Sequence, residues 1–249
     1  LIRQNVAHRK DDQKLGAQYG ALAIDIGSDL YNSAIVEEGI RCLEAVKQGL
    51  APTDIRPELL YNLGNGYYAL DRIARHEQDF CFDPDNTPLR QTKHYYQKAL
   101  QTESSLDHSL REQLRINYGN CLAHLGRLVE TIEVYNDVLR LNPNHPMAQG
   151  NLGVELSYFA HIAQNAVFLS DALSMLKKAL ANDRLEEYGG PSARRSFEDA
   201  RQQIQSILSG RNPRAHAVIT ATTAQPEELQ AYIDFCRHHG LFLSFCLRY

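Results

Sequence analysis

No stretch of the chain approaches 18 consecutive apolar residues, so it holds no segment able to cross a bilayer as a helix. It has no C-x-x-C pair. Its cysteines, Cys42, Cys81, Cys121, Cys236 and Cys246, are odd in number and widely spaced. That argues against a disulfide framework and against zinc sites of recognised spacing. Three of them fall in apolar helical patterns, where a free thiol packs as a small hydrophobe, and a reducing, cytoplasmic setting fits this usage. Neither sign of charge dominates: 26 Lys and Arg against 30 Asp and Glu give a formal net charge of −4. Non-specific nucleic-acid binding by the whole chain is therefore not expected, although a local basic patch remains compatible with the balance. There is no phosphate loop, dinucleotide glycine motif or G-x-S-x-G elbow, and no cofactor is expected. The opening residues, Leu1-Ile2-Arg3-Gln4-Asn5, lack both a Met and the apolar core of a signal peptide. Such a start reads as that of a part of a longer protein.

What is present is an ordinary globular composition with a repeat inside it. The 249 residues are 43% hydrophobic and 22% charged, which excludes disorder as the dominant state. Tyr61-Asn62-Leu63-Gly64-Asn65-Gly66-Tyr67-Tyr68 is echoed by Asn117-Tyr118-Gly119-Asn120-Cys121-Leu122, by Asn151-Leu152-Gly153-Val154, and more faintly by Tyr19-Gly20-Ala21-Leu22. Downstream of three of these blocks stands an apolar pair, Ala99-Leu100, Val138-Leu139 or Ala179-Leu180. Leu59, Leu60, Leu63, Tyr67 and Leu70 recur at three- and four-residue steps, the period of a helix with one buried face. Glycine costs a helix interior about 1 kcal/mol against alanine, a cost accepted where a second helix must come close.

These blocks resemble the tetratricopeptide repeat (TPR), a 34-residue helix–turn–helix unit. Glu112 to His145 carries the resemblance best. There Tyr118-Gly119, Leu122, Gly126, Thr131, Tyr135, Val138 and Pro143 stand at the family's positions. The separation of Gly119 and Gly153 equals the family period, whereas Gly20 to Gly64 and Gly64 to Gly119 are longer. In the second unit the surplus falls in the turn-rich stretch 72–89, which contains Asp83-Pro84-Asp85-Asn86-Thr87-Pro88. The resemblance implies an all-α, right-handed solenoid of about four units over residues 1–210. Its helices are expected near 12–28, 32–49, 57–71, 89–104, 107–125, 128–140, 146–162 and 166–182, with a polar-faced capping helix at 192–209.

Beyond Gly210 the character changes, and residues 211–249 read as a hinge and a short α/β segment, the possible start of a further domain. Arg211-Asn212-Pro213-Arg214 is a basic hinge, Ala217 to Thr222 is β-branched, and Pro226 begins a short helical pattern. The apolar run Leu241 to Leu247 would leave an exposed tail that docks a second copy or an effector domain. Tyr232-Ile233-Asp234-Phe235-Cys236-Arg237 with Gly240-Leu241-Phe242-Leu243 is similar to the lead-in of some bacterial TPR proteins. Those end in a HEPN-type helical domain, from a group of RNA-cleaving toxins of phage defence. That similarity implies an alternative reading, the sensory part of a metal-independent endoribonuclease whose catalytic domain lies beyond Tyr249.

Catalytic chemistry is not expected in this chain. The Arg…His spacing of such ribonucleases occurs at Arg3…His8, Arg140…His145 and Arg211…His216, too often to be informative. His238 and His239 are adjacent and point about 100° apart on a helix, so they do not chelate as an i, i+4 pair would. What the repeat pattern leaves is the concave face of its first helices. Outward positions there are Tyr61, Asn65 and Tyr68; Asn120, Ala123 and His124; and Gly150, Val154 and Tyr158. The resemblance makes Tyr61, Asn65, Tyr68, Asn120, His124, Val154 and Tyr158 the partner-binding candidates. Asn65 and Asn120 match the Asn with which carboxylate-binding members grip a peptide. The Lys or Arg expected one turn earlier is replaced by Tyr61 and Ile116, so a polar-aromatic peptide or loop suits the face better than a carboxylate tail. The plainer use of these Asn side chains is to satisfy neighbouring helix ends. The chain is thus read as a non-catalytic scaffold or sensor that binds a protein or peptide, with no membrane span, metal or cofactor, and with nucleic acid an unexpected ligand for the array.

Overall fold

Asn32, Asp107 and Asn165 stand where helices must begin, because their side-chain oxygens accept the orphan N–H groups of the first turn. Asn32 accepts from Ile35 at 3.2 Å, Asp107 from Leu110 at 2.8 Å and Asn165 from Val167 at 3.0 Å. Pro57 and Pro146 open two further helices, where a missing N–H costs nothing. The structure, a computed structural model, describes residues 2–77, 87–163, 165–209, 218–220 and 244–246. The helices among them are α1 (Ile2–Asp29), α2 (Ser33–Gln48), α3 (Pro57–Glu77), α4 (Thr87–Leu100), α5 (His108–His124), α6 (Leu128–Leu141), α7 (Pro146–Ala163), α8 (Ala166–Leu180) and α9 (Leu185–Leu208). Val218–Thr220 and Ser244–Cys246 form a short parallel strand pair. The expected hinge at 211–214, the helix after Pro226 and most of the apolar run 241–247 lie outside the described residues.

The chain divides into two compact units, Leu1–Cys121 and Leu122–Tyr249, with the division inside α5. In the first unit α1 and α2 are antiparallel neighbours: Gly16 meets Val46, Gly20 meets Leu43 and Gly27 meets Val36. Their backbones touch at the middle, since a Cβ on Gly39 would stand 2.6 Å from the Gly20 carbonyl oxygen. α3 packs on α1, α2 and α4. A Cβ on Gly64 would fall 2.4 Å from the Tyr96 ring, so the absent side chain is the seat of a fully buried tyrosine. Leu43, Leu63, Leu89, Ala99 and Leu114 complete this core.

In the second unit α7 and α8 are also antiparallel, with Gly153 against Leu176 and Phe159 edge-on to Phe168 at 4.9 Å. α9 covers both. Its Phe197 lies over Gly150, and Leu169, Ala172, Leu176, Leu185 and Ile204 close the core around it. The aligned small positions Ala99, Val138 and Ala179 are all fully buried. Three boundaries differ most from the sequence expectation, and one of them is the end of α3, which continues to Glu77 into the stretch expected to be turn-rich. α1 starts at Ile2, and α9 starts at Leu185 and bends at Gly190 (φ 66°, ψ −178°), with Pro191 directly after the bend. No helix among the described residues is long and apolar enough to cross a membrane.

Candidate functional site

Within the first unit, α1, α3 and α5 surround a shallow cavity of about 160 Å³. α1 contributes Asp25 and Ser28, α3 contributes Asn65, Tyr68 and Arg72, and α5 contributes Asn117. Helical spacing explains the α3 set. Residues 65, 68 and 72 lie three and four apart and therefore share one face.

The floor of the cavity is a network of amides and phenols. Tyr96 Oη donates to Asn65 Oδ1 at 2.7 Å, and Asn117 Nδ2 donates to Tyr61 Oη at 3.0 Å and to Asn65 Oδ1 at 3.3 Å. The Tyr61 and Tyr96 rings are 6.0 Å apart. Burial raises the hydroxyls of Tyr61, Tyr68 and Tyr96 above their ordinary range. They stay protonated at neutral pH, as hydrogen-bond donors and not as phenolates.

The rim carries charge. Arg72 Nη2 donates to the backbone oxygen and to the hydroxyl of Ser28, both at 2.6 Å, and its guanidinium lies 5.3 Å from the Tyr31 ring centre. That tethers α3 to a terminal carbonyl of α1. Partial burial, and then the neighbouring Asp29, hold the Asp25 carboxyl above the usual carboxylate range. The lining thus combines donors and acceptors with one guanidinium and one carboxyl group.

Of the residues expected to bind a partner, the structure brings Asn65 and Tyr68 to this cavity. Tyr61 is 8% exposed and is committed to Asn117 beneath it. Asn65 also has an internal duty, toward a tyrosine and a second amide and not toward a helix end. Asn117 is the residue that sequence reasoning missed. It stands three residues before Asn120, next to the aligned Tyr118-Gly119 pair, and was read only as part of the repeat block. Asn120 is half-buried on α5 and lies outside the cavity lining, and His124 is exposed. Val154 and Tyr158 belong to the second unit, on α7, partly buried beside Glu155. Gly150, one turn earlier, is buried under Phe197 and presents no open surface.

The Arg140…His145 spacing does not form a pair. Arg140 is exposed and bonded to Asp137, whereas His145 is buried with its ring 4.8 Å from that of Tyr188. Arg3 and His8 stand on α1 with their side chains outside what is described, and Arg211…His216 and His238-His239 lie outside the described residues. Among the described residues, no group of three or more His, Cys, Asp or Glu is placed to hold a metal ion. A second polar cluster joins α2 to α4: Lys47 Nζ donates to Tyr95 Oη at 2.8 Å, and the Tyr95 hydroxyl donates to Glu44. Tyr67 stacks on Tyr95 at 5.7 Å, so this cluster ties α2, α3 and α4 together. No protein-family model matches the chain, and no curated protein matches it.

Proposed function

We propose that the chain is a protein-interaction module of TPR type whose first unit binds an extended peptide or loop across α1, α3 and α5. One observation carries this reading. Asp25, Asn65, Arg72 and Asn117, from three helices distant in sequence, converge on one opening. A peptide main chain offers an N–H and a C=O at every residue, and amide side chains match both. Arg72 suits an acidic side chain or a main-chain carbonyl, Asp25 a basic or N–H-rich one, and Tyr68 gives an aromatic wall of the kind that anchors interfaces. The repeat-like spacing of the helices supports the same reading.

Asp25 and Arg72 are exposed, so they can be changed without touching the buried network. A random peptide library displayed on phage and selected on the full chain should yield ligands. Arg72→Ala and Asp25→Asn should each weaken those ligands by about tenfold, equivalent to about 1.4 kcal/mol. A selection that yields no ligands, or ligands that bind both variants as well as the parent, overturns the proposal.

A further inference from the structure

The exposed apolar side chains of the first unit are not scattered. Leu15, Tyr19, Leu22, Ile26 and Leu30 are 63%, 50%, 57%, 43% and 65% exposed. They follow one another at steps of four, three, four and four, which lays them along one side of α1 and into the turn after it. The side of α1 about 100° round from the stripe, marked by Gly16, Gly20 and Gly27, packs against α2, and Tyr19 at the border of the stripe donates its hydroxyl to Glu38 of α2 at 2.5 Å. The large apolar residues exposed in the second unit, Val129, Leu141, Val167 and Leu208, include no such regular series. Isolated exposed residues of this kind need no explanation, whereas a continuous stripe about 22 Å long does.

The edge of the stripe carries an ordered set of polar groups. Lys14, Gln18, Asp25 and Asp29 are all exposed and share one row beside it. The row is basic at its start and doubly acidic at its end, and the two carboxylates stand four residues apart, a repulsive spacing. In an antiparallel pair of identical helices each edge meets the same edge of its partner in reverse. Lys14 then faces Asp29, and Gln18 faces Asp25, about a single centre between Ala21 and Leu22. Both pairs share that centre, and the apolar stripe is centred about one residue further on, between Leu22 and Ala23. A parallel two-fold pairing sets this row against the other edge of the partner's stripe, so neither the Lys14–Asp29 nor the Gln18–Asp25 contact forms.

We propose that this face of α1 is a homodimer interface, in which two copies of the chain pair antiparallel about Leu22. The contact is isologous, as a two-fold dimer requires, and it joins apolar seam to apolar seam with a charged border. It shares Asp25 with the peptide-binding reading, whereas Arg72 and the buried amide network take no part in it, so Leu22→Glu tests the dimer and Arg72→Ala tests the peptide site.

Sedimentation velocity on the full chain tests it. The parent should sediment as a dimer of the 28.2 kDa chain. Leu22→Glu should sediment as a monomer with the helical ellipticity of the parent, since Leu22 is 57% exposed and a charge there stays in water. Lys14→Asp alone should weaken the dimer roughly tenfold at low salt, and Lys14→Asp with Asp29→Lys should restore it. A parent that remains monomeric to about 100 μM overturns the proposal and leaves the stripe to a different partner. A dimer indifferent to Leu22→Glu overturns it as well, and failure of the double exchange to restore pairing overturns the antiparallel register.

Discussion

Burial works against one carboxylate in the second unit. Glu155, on α7, has its carboxyl pushed up to about 7 from an ordinary 4.5 by loss of solvent alone, and Tyr158 beside it is raised partly by that same charge. The folded chain therefore holds a proton at Glu155 more tightly than the unfolded chain does. Stability from this group is complete below about pH 4.5 and is lost as pH rises toward 7. The loss amounts to at most about 3 kcal/mol. Urea unfolding of Glu155→Gln should show that decline removed, with the variant more stable than the parent at pH 8 and no more stable at pH 4. At this scale the sequence was legible where periodicity sets the answer. Leu63 was placed on a buried face by spacing, Tyr135 and Val138 stood at positions of the resembled repeat, Ala179 in its apolar pair, and all four are buried. It was silent on Asn117, whose partners Tyr61 and Asn65 are 56 and 52 residues away. No local pattern encodes a hydrogen bond across that separation, and the irregular repeat offset hides the register that would have aligned the two amides.

Caps, prolines and apolar periods made each helix from α1 to α9 legible, because these signals act within one or two turns. The boundaries that were missed have local causes too. The last helix was expected to begin at 192, and Pro191 opens the longer arm of α9. The arm before it, Leu185 to Gly189, is too short to show a period of its own. The bend between them rests on Gly190, whose φ of 66° and ψ of −178° are nearly exclusive to glycine. No atom lies within 4 Å of where a Cβ would stand there, so a substitution meets backbone strain and no clash. Gly190→Ala should lower the unfolding free energy by about 1–3 kcal/mol without creating a cavity. Chemical denaturation checks the size, and an unchanged denaturant slope shows that the same surface is still buried.

For the whole chain the repeat reading gave one array over residues 1–210, whereas the packing divides between Cys121 and Leu122. A repeat period says which helices are equivalent and not where packing thins, so that division was not open to sequence reasoning. Nor was the exposed apolar stripe of α1, since the same apolar spacing describes a helix face covered by a neighbour and one that is largely exposed. If two copies cover that face, stability becomes a matter of mass action. The melting temperature of the parent should rise with protein concentration over a hundredfold range, and that of Leu22→Glu should not. Calorimetry at two concentrations distinguishes the cases. The tyrosine floor of the cavity has an optical consequence as well. The chain has no tryptophan and 13 tyrosines, and the Tyr61/Tyr96 and Tyr67/Tyr95 ring pairs sit at 6.0 and 5.7 Å in the first unit. Phenol chromophores held this close give the near-ultraviolet dichroism much of its source in one place. A single indole introduced at Tyr68 would be the chain's sole such fluorophore, a lamp set in the wall of the opening it is meant to watch.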